Sequence, residues 1–411
     1  MKVFIVEEAL KDLHGHWFQY ISDIVNGGVE AGHQIEVAVH KDACPEILKA
    51  LPCRPILRST VFEKKANPGG RQNALYRVLT HNYSLYSDLS SFLAAGNTYD
   101  VVIATTTRLD HLMGYWFLYW RFRNRGFKHL VLIFIDSIGS YDPDYTRLHF
   151  SPKLLPLKYV LTLSNPWLTG GRLSLVVESE GHARQYEQLC GVKFSLVPHV
   201  TLMPSLERYY EKSGKMSIHK GNSLFLGTFG FSRFDKGLDI LQKAIKIVLQ
   251  QHRDLDVRFI VQWTGGYRLP DGEEVFKDPF LESHPRVQYL SAFDKSEEYY
   301  DWIAQTDVMV LPYRKKFYFD KLSRVAIDAA LASMPFVYPS ETWLEPFAKE
   351  YGAGVPFRAE DPASLAGAIH EVVDKYAELK ALATARKQFV SDAFSSRTFF
   401  DIIAKLPYAK K

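Results

Sequence analysis

Apolar residues in this chain follow two alternating patterns. Short β-branched or aromatic runs give way to longer stretches in which apolar positions recur every three or four residues. These are the periods of buried strands and of amphipathic helices. Val3-Phe4-Ile5-Val6 is the first run, and a polar loop, His14-Gly15-His16, comes after it. Tyr20, Ile21, Ile24 and Val25 then mark a helix that Gly32 ends before the strand Gln34–Val39. Val101–Ala104, Leu130–Ile135, Leu173–Val177 and Phe194–Val197 continue the series. A second series comprises Ser223–Leu226, Val257–Val261, Val287–Leu290, Val308–Leu311 and Pro335–Val337, with helices over Leu238–Leu249 and Asp320–Ala332.

Strands separated by helix-length segments are the signature of βαβ units and parallel sheets. The stretch 201–222 between the two series carries Pro204, Gly214, Gly221 and clustered charge, the composition of an interdomain linker. The pattern therefore predicts an α/β protein of two Rossmann-like domains, residues 1–200 and 223–395, joined by this linker. A last helix, Ser396–Leu406 within 396–411, is expected to pack back on the first domain. Ligands of such open sheets sit at the carboxyl ends of the strands, which places function in the loops after them.

Composition narrows the class. The chain has 411 residues, 47% of them hydrophobic and 23% charged, as expected of a globular protein and not of an extended disordered one. A formal charge of +4 is too small for a chain that lives on nucleic acid. Cys44, Cys53 and Cys190 are few and odd in number, which fits a reducing, cytoplasmic setting, and their spacing suggests no zinc site. The N-terminus reads as a buried strand and not as a signal peptide, and no apolar run reaches the ~18 residues that span a bilayer.

Two loops carry candidate chemistry. Gly227 to Gly237 (GTFGFSRFDKG) lies between a strand and a helix. Gly230 lets the backbone approach an anion closely, and Arg233 and Lys236 can neutralise it; a plain strand–loop–helix turn with solvated charges fits the same residues. The second loop, Pro312 to Lys321, is basic and aromatic and leads into a helix offering free amides, the Ser323 hydroxyl and Arg324. Asp320 and Asp328 would stand ~80° apart if both were helical, at ~3.6 residues per turn. Asp320 could otherwise be an N-cap and Asp328 a surface carboxylate, although the apolar surroundings of Asp328 argue for a function.

With these motifs the chain resembles the GT-B glycosyltransferases, in particular the large retaining group called family 4. The likeness covers most of the C-terminal half. Gly227 to Gly237 resembles the family's donor loop, Asp320 and Asp328 stand for its two glutamates, and Asp361-Pro362-Ala363-Ser364-Leu365 resembles its usual ending. Phe231 occupies the place of the family's arginine, Ser333 that of a glycine, and Asp136 follows the strand after which the family has a histidine. The resemblance implies two parallel sheets facing a central cleft and a nucleoside diphosphate sugar as donor, with no cofactor and no metal. Gly15, Gly230, Arg233, Lys236, Ser323 and Arg324 would hold the diphosphate and Asp328 the ribose. Asp320 and Asp136 would act at the transferred sugar, Asp136 as base or as a loop cap. The implied reaction is hexosyl transfer to a glycan or lipid-linked acceptor in bacterial surface polysaccharide or glycoconjugate synthesis. A degenerate GT-B protein that binds nucleotide sugar or a partner without turnover is the alternative.

Tyr115–His129 interleaves Arg121, Arg123, Arg125 and Lys128 with aromatic residues. It reads either as a basic amphipathic helix in peripheral contact with the inner face of a membrane, or as a core-facing aromatic stripe with a solvated basic end.

Overall fold

The computed structural model describes residues 1–13, 17–61, 74–202, 223–252, 254–293 and 296–406. The chain divides into two compact units, Met1–Val200 with Ser395–Lys411, and Thr201–Phe394. Most of the expected linker, 203–222, lies outside the described residues.

The first unit is built on β1 (Lys2–Val6), β2 (Gln34–His40), β3 (Cys53–Leu57), β4 (Tyr99–Thr107), β5 (Phe127–Phe134), β6 (Leu173–Val177) and β7 (Ser195–Leu196). They form one sheet in the order β3-β2-β1-β4-β5-β6-β7. Every pairing is parallel, with Val3 opposite both Ile35 and Val101. The strands are apolar on both faces because helices cover both. Phe4, Val102, Leu130 and Leu132 pack on one side, and Val3, Ile5, Val37 and Ile103 on the other.

Five helices position the loops that carry candidate chemistry or complete the core of the first unit. In the first unit they include α1 (Trp17–Glu30), α2 (Leu109–Phe122) and α3 (Glu180–Cys190). In the second unit, α4 (Arg324–Leu331) comes after a short turn of helix at Lys315–Tyr318. The final helix, α5 (Ser396–Lys405), returns to the first unit, where Phe399, Phe400 and Ile403 join the apolar cluster of Ile21 and Ile24 from α1. The approach is close: a Cβ on Gly27 of α1 would stand 1.6 Å from Ser396 Oγ, so only glycine fits there.

The second sheet comprises β8 (Leu224–Thr228), β9 (Val257–Gln262), β10 (Val287–Leu290), β11 (Val308–Val310), β12 (Phe336–Pro339) and β13 (Gly354–Phe357). Its order is β10-β9-β8-β11-β12-β13, again with every pairing parallel.

Two helical expectations are corrected. The helix expected from Asp320 begins only at Arg324, because Ser323 adopts extended backbone and caps it by accepting a bond from the Ala326 amide. Asp320 is therefore outside the helix, and the ~80° relation to Asp328 does not apply. Tyr115–His129 is not one helix either. α2 ends at Phe122, the Arg125 and Gly126 amides turn back onto the Phe122 carbonyl, and Lys128 and His129 belong to β5. No described helix is long and apolar enough to cross a membrane.

Candidate active site

The loop after β8 is held in shape by specific bonds. The Gly230 amide, at φ +120°, donates to Gln262 Oε1 at 2.7 Å. The Ser232 and Thr264 amides donate to each other's side-chain oxygens, both at 2.8 Å. The loop closes at Gly237, whose φ of +66° and contact with the next strand's exit both require glycine: a Cβ there would lie 1.9 Å from the Pro312 carbonyl oxygen. Arg314, which the sequence did not mark as a site residue, fastens the loop from below. Its guanidinium donates to the Phe234 carbonyl and pairs with Asp239 at 2.6 Å and Glu360 at 3.1 Å.

This closure places the Lys236 ammonium 4.0 Å from the ring centre of Tyr313 and 5.2 Å from that of Tyr318. The two rings stack at 4.2 Å. Among the described residues Lys236 makes no ion pair, so its charge rests on aromatic faces and is available to an anion. Burial pushes the Tyr318 hydroxyl up to about 12, against the opposing pull of Lys236. The Tyr313 hydroxyl meets Ser323 Oγ at 3.4 Å. Lys236 and Ser323 are thus joined through Tyr313, with Gly230 beside the Lys236 side chain, at the carboxyl ends of β8 and β11. The arrangement offers a positive charge, a hydroxyl and the amides at the start of α4.

The other acidic and basic candidates have partners of their own. Arg233 is more than half exposed and pairs with Asp235 at 3.0 Å. Asp320 and Asp328 are both buried. Asp328 accepts a bond from the Tyr299 hydroxyl at 2.8 Å and lies 3.8 Å from the Arg324 guanidinium, so it is neither a surface carboxylate nor an idle one. Ser333, at φ +54°, takes the left-handed backbone that a glycine would adopt at the end of α4.

In the first unit Gly15 lies outside the described residues. Asp136 follows β5 and pairs with the Arg108 guanidinium at 2.9 Å, both side chains being partly exposed. α3 clamps its loop: Gln185 Oε1 accepts the Ile138 and Gly139 amides, and the Tyr186 hydroxyl donates to the Asp136 carbonyl.

Two buried clusters at the same sheet edge escaped the sequence. Glu178, after β6, accepts from the Tyr20 hydroxyl and meets His199 Nδ1, both at 2.9 Å. Burial pushes its carboxyl up, but His199, Tyr20 and His182 outweigh this and hold it below its ordinary value. Glu8, after β1, lies 2.8 Å from His81 Nε2 and 3.1 Å from His111 Nε2. Burial opposes its ionisation, yet the two imidazoles hold the carboxyl far below the usual range.

Glu8, His81 and His111 come within the spacing of a metal-ligand set. The tautomer of His111 argues against that use. Its Nδ1 accepts the Arg108 amide at 3.1 Å, so the proton of the neutral ring sits on Nε2, facing Glu8 where a metal would have to be. Each cluster is signalled in the sequence by a glutamate just past a strand end; apart from His182, four residues after Glu178, the histidines lie on helices and loops farther along the chain.

Two parallel α/β units in one chain, with a lysine-bearing glycine loop in the second, are the GT-B fold, and the solved structures of that fold match along nearly the whole chain. Residues 221–375 match the family described as Glycosyl transferases group 1. Anabaena HepE, solved with UDP and glucose, is 16% identical, with 98% of each chain covered and a TM-score of 0.60. Sucrose-phosphate synthase from Thermosynechococcus elongatus is 14% identical, with 99% of this chain and 98% of that one covered and a TM-score of 0.63. The catalytic domain of Arabidopsis thaliana starch synthase IV, bound to ADP and acarbose, is 12% identical, with 98% of this chain and 97% of that one covered and a TM-score of 0.61. No curated protein matches the chain in sequence.

Proposed function

We propose that this protein is a glycosyltransferase that uses a nucleoside diphosphate sugar as donor and a glycan or lipid-linked molecule as acceptor. The observation that carries the reading is the Lys236 ammonium, held over Tyr313 and Tyr318 beside Gly230 and the Ser323 cap of α4, within the region that matches a glycosyltransferase family. Cleavage of the donor bond puts negative charge on a diphosphate. A fixed ammonium and helix-start amides stabilise that charge without reorganising. Arg233 and Arg324 add positive charge nearby in sequence, Asp328 receives the ribose hydroxyls, and Asp320 the sugar hydroxyls. The charge on the leaving group is met by protein groups, so the transfer proceeds without a metal. Structural neighbours solved with UDP, with UDP-glucose and with ADP support a nucleoside diphosphate donor.

The test is a panel of nucleotide sugars, read first by thermal shift and then by release of nucleoside diphosphate. Stabilisation and release with at least one donor are expected. Stabilisation without release from any donor, with acceptors supplied, would favour a protein that binds nucleotide sugar without turnover, as the existing partners of Asp136 and Asp328 would allow.

An acceptor on a lipid, as in surface polysaccharide synthesis, fits one further feature. Phe117 and Trp120 are exposed on α2, and the Arg123 guanidinium lies 4.6 Å from the centre of the Trp120 ring, with Arg121 and Arg125 close by. Basic and aromatic side chains together suit an anionic lipid surface on the cytoplasmic side. Flotation with phosphatidylglycerol vesicles should carry the wild type and not a Trp120→Ser, Arg123→Ser variant; equal flotation of both removes this contact.

A further inference from the structure

We propose that Ser137 and His182 form a proton path at the end of β5, in which Ser137 meets the acceptor hydroxyl and His182 takes the proton behind it. The inference rests on the glycosyltransferase reading. Ser137 is exposed, and its Oγ stands 2.9 Å from Nε2 of His182, which is only 4% exposed. The backbone of His182 is fixed in the first turn of α3, where its amide donates to the Ser179 side chain, and its ring is buried. Ser137 is equally fixed, because Gln185 and Tyr186 of the same helix bind the backbone on either side of it. One helix therefore positions both members of the pair.

Asp136 next to it is the obvious base by position, but its carboxylate is engaged by Arg108 at 2.9 Å. Taking a proton there means giving up that ion pair. Glu178 lies close enough for its charge to act on His182, and a buried carboxylate stabilises the imidazolium that proton transfer creates. The titratable or charged groups around the pair are Glu178, His199 and Tyr20 on the buried side, Tyr186 on α3, and Asp136 with Arg108 at the surface.

The step balances. The acceptor oxygen bonds to the anomeric carbon, and its proton passes to Ser137 Oγ as the Ser137 proton passes to His182 Nε2. The bond from the anomeric carbon to the diphosphate breaks, and its electron pair leaves with the nucleoside diphosphate. Ser137 touches the substrate and ends unchanged, and His182 ends protonated.

The experiment compares wild type, Ser137→Ala, Ser137→Thr and His182→Gln with a donor that the wild type turns over. It reads kcat against pH, and nucleotide binding by calorimetry. Ser137→Ala and His182→Gln are expected to lose about 10²-fold or more in kcat with nucleotide affinity unchanged, within the range of a general base. The decline of kcat on the acid side should vanish in both, and Ser137→Thr, which keeps the hydroxyl, should recover much of the rate. Wild-type kcat in Ser137→Ala, or a loss that leaves the acid-side decline intact, overturns the proton path and spares the transferase reading. Ser137 is exposed, so this variant decides even if His182→Gln fails to fold. A wild type that releases no nucleoside diphosphate from any donor overturns both.

Discussion

Replacing Gly237 by alanine tests whether the geometry of one loop holds the donor site together. Two costs arise. At φ +66° an alanine pays for left-handed backbone, about 1 kcal/mol. Its Cβ would also lie 1.9 Å from the Pro312 carbonyl oxygen, where real contacts stay beyond 3.0 Å. That neighbour is backbone and cannot rotate away. Either the loop or the exit of β11 must move by about 1 Å, and a misplacement of that size at a binding group typically costs on the order of 10²-fold in rate. Lys236 precedes Gly237, and Tyr313 follows Pro312, so the shift separates the ammonium from its ring. Gly191 is the matched control: its φ is +69° and nothing lies within 4 Å of the added Cβ. Gly191→Ala should lose only the backbone term. Gly237→Ala should lose several kcal/mol more in denaturant unfolding and bind nucleoside diphosphate at least tenfold more weakly by calorimetry. Equal losses of stability in the two variants, with nucleotide affinity unchanged, would refute the reasoning.

Three further outcomes are expected from the same geometry. Lys236→Ala should weaken nucleoside diphosphate binding by about tenfold, roughly 1.4 kcal/mol, and an unchanged Kd in a folded variant removes Lys236 from the site. Asp328→Asn keeps an acceptor for the Tyr299 hydroxyl but loses the charge, so nucleotide affinity should fall while thermal stability changes little. A variant with wild-type affinity would show that Asp328 serves only α4 and Tyr299. Burial pushes His129 down to about 4, so the fold favours its neutral ring. The stability this contributes is fully present above the unfolded value near 6.5 and is lost as pH falls towards 4, at most about 3 kcal/mol. Any deficit of His129→Gln relative to wild type should shrink by that order between pH 7.5 and pH 4.5 in urea titrations, and a constant difference would contradict the assignment.

The fold class and the loops in which function lies were legible in the pattern of the chain. Strands with apolar residues at nearly every position are unmistakable when both faces are covered, so β1, β2, β6 and β9 were found within a residue or two. β3 was missed because it is an edge strand. Cys-Arg-Pro-Ile-Leu has a proline and two well-exposed positions, and an edge needs neither a full ladder nor a continuous apolar run. The donor loop was legible because glycines and a lysine lie together along the chain, and the path of β8 into its helix is local. Which side chain faces which was settled only in three dimensions. Helix periodicity could not show that Ser323 would start α4 and leave Asp320 outside it, because a cap competes with four more residues of helix on nearly equal terms. Nor could spacing reveal that Arg108 meets Asp136, that His81 and His111 flank Glu8, or that His182 backs Ser137. Those residues are tens of positions apart and converge only because parallel strands deliver every loop to the same edge of the sheet.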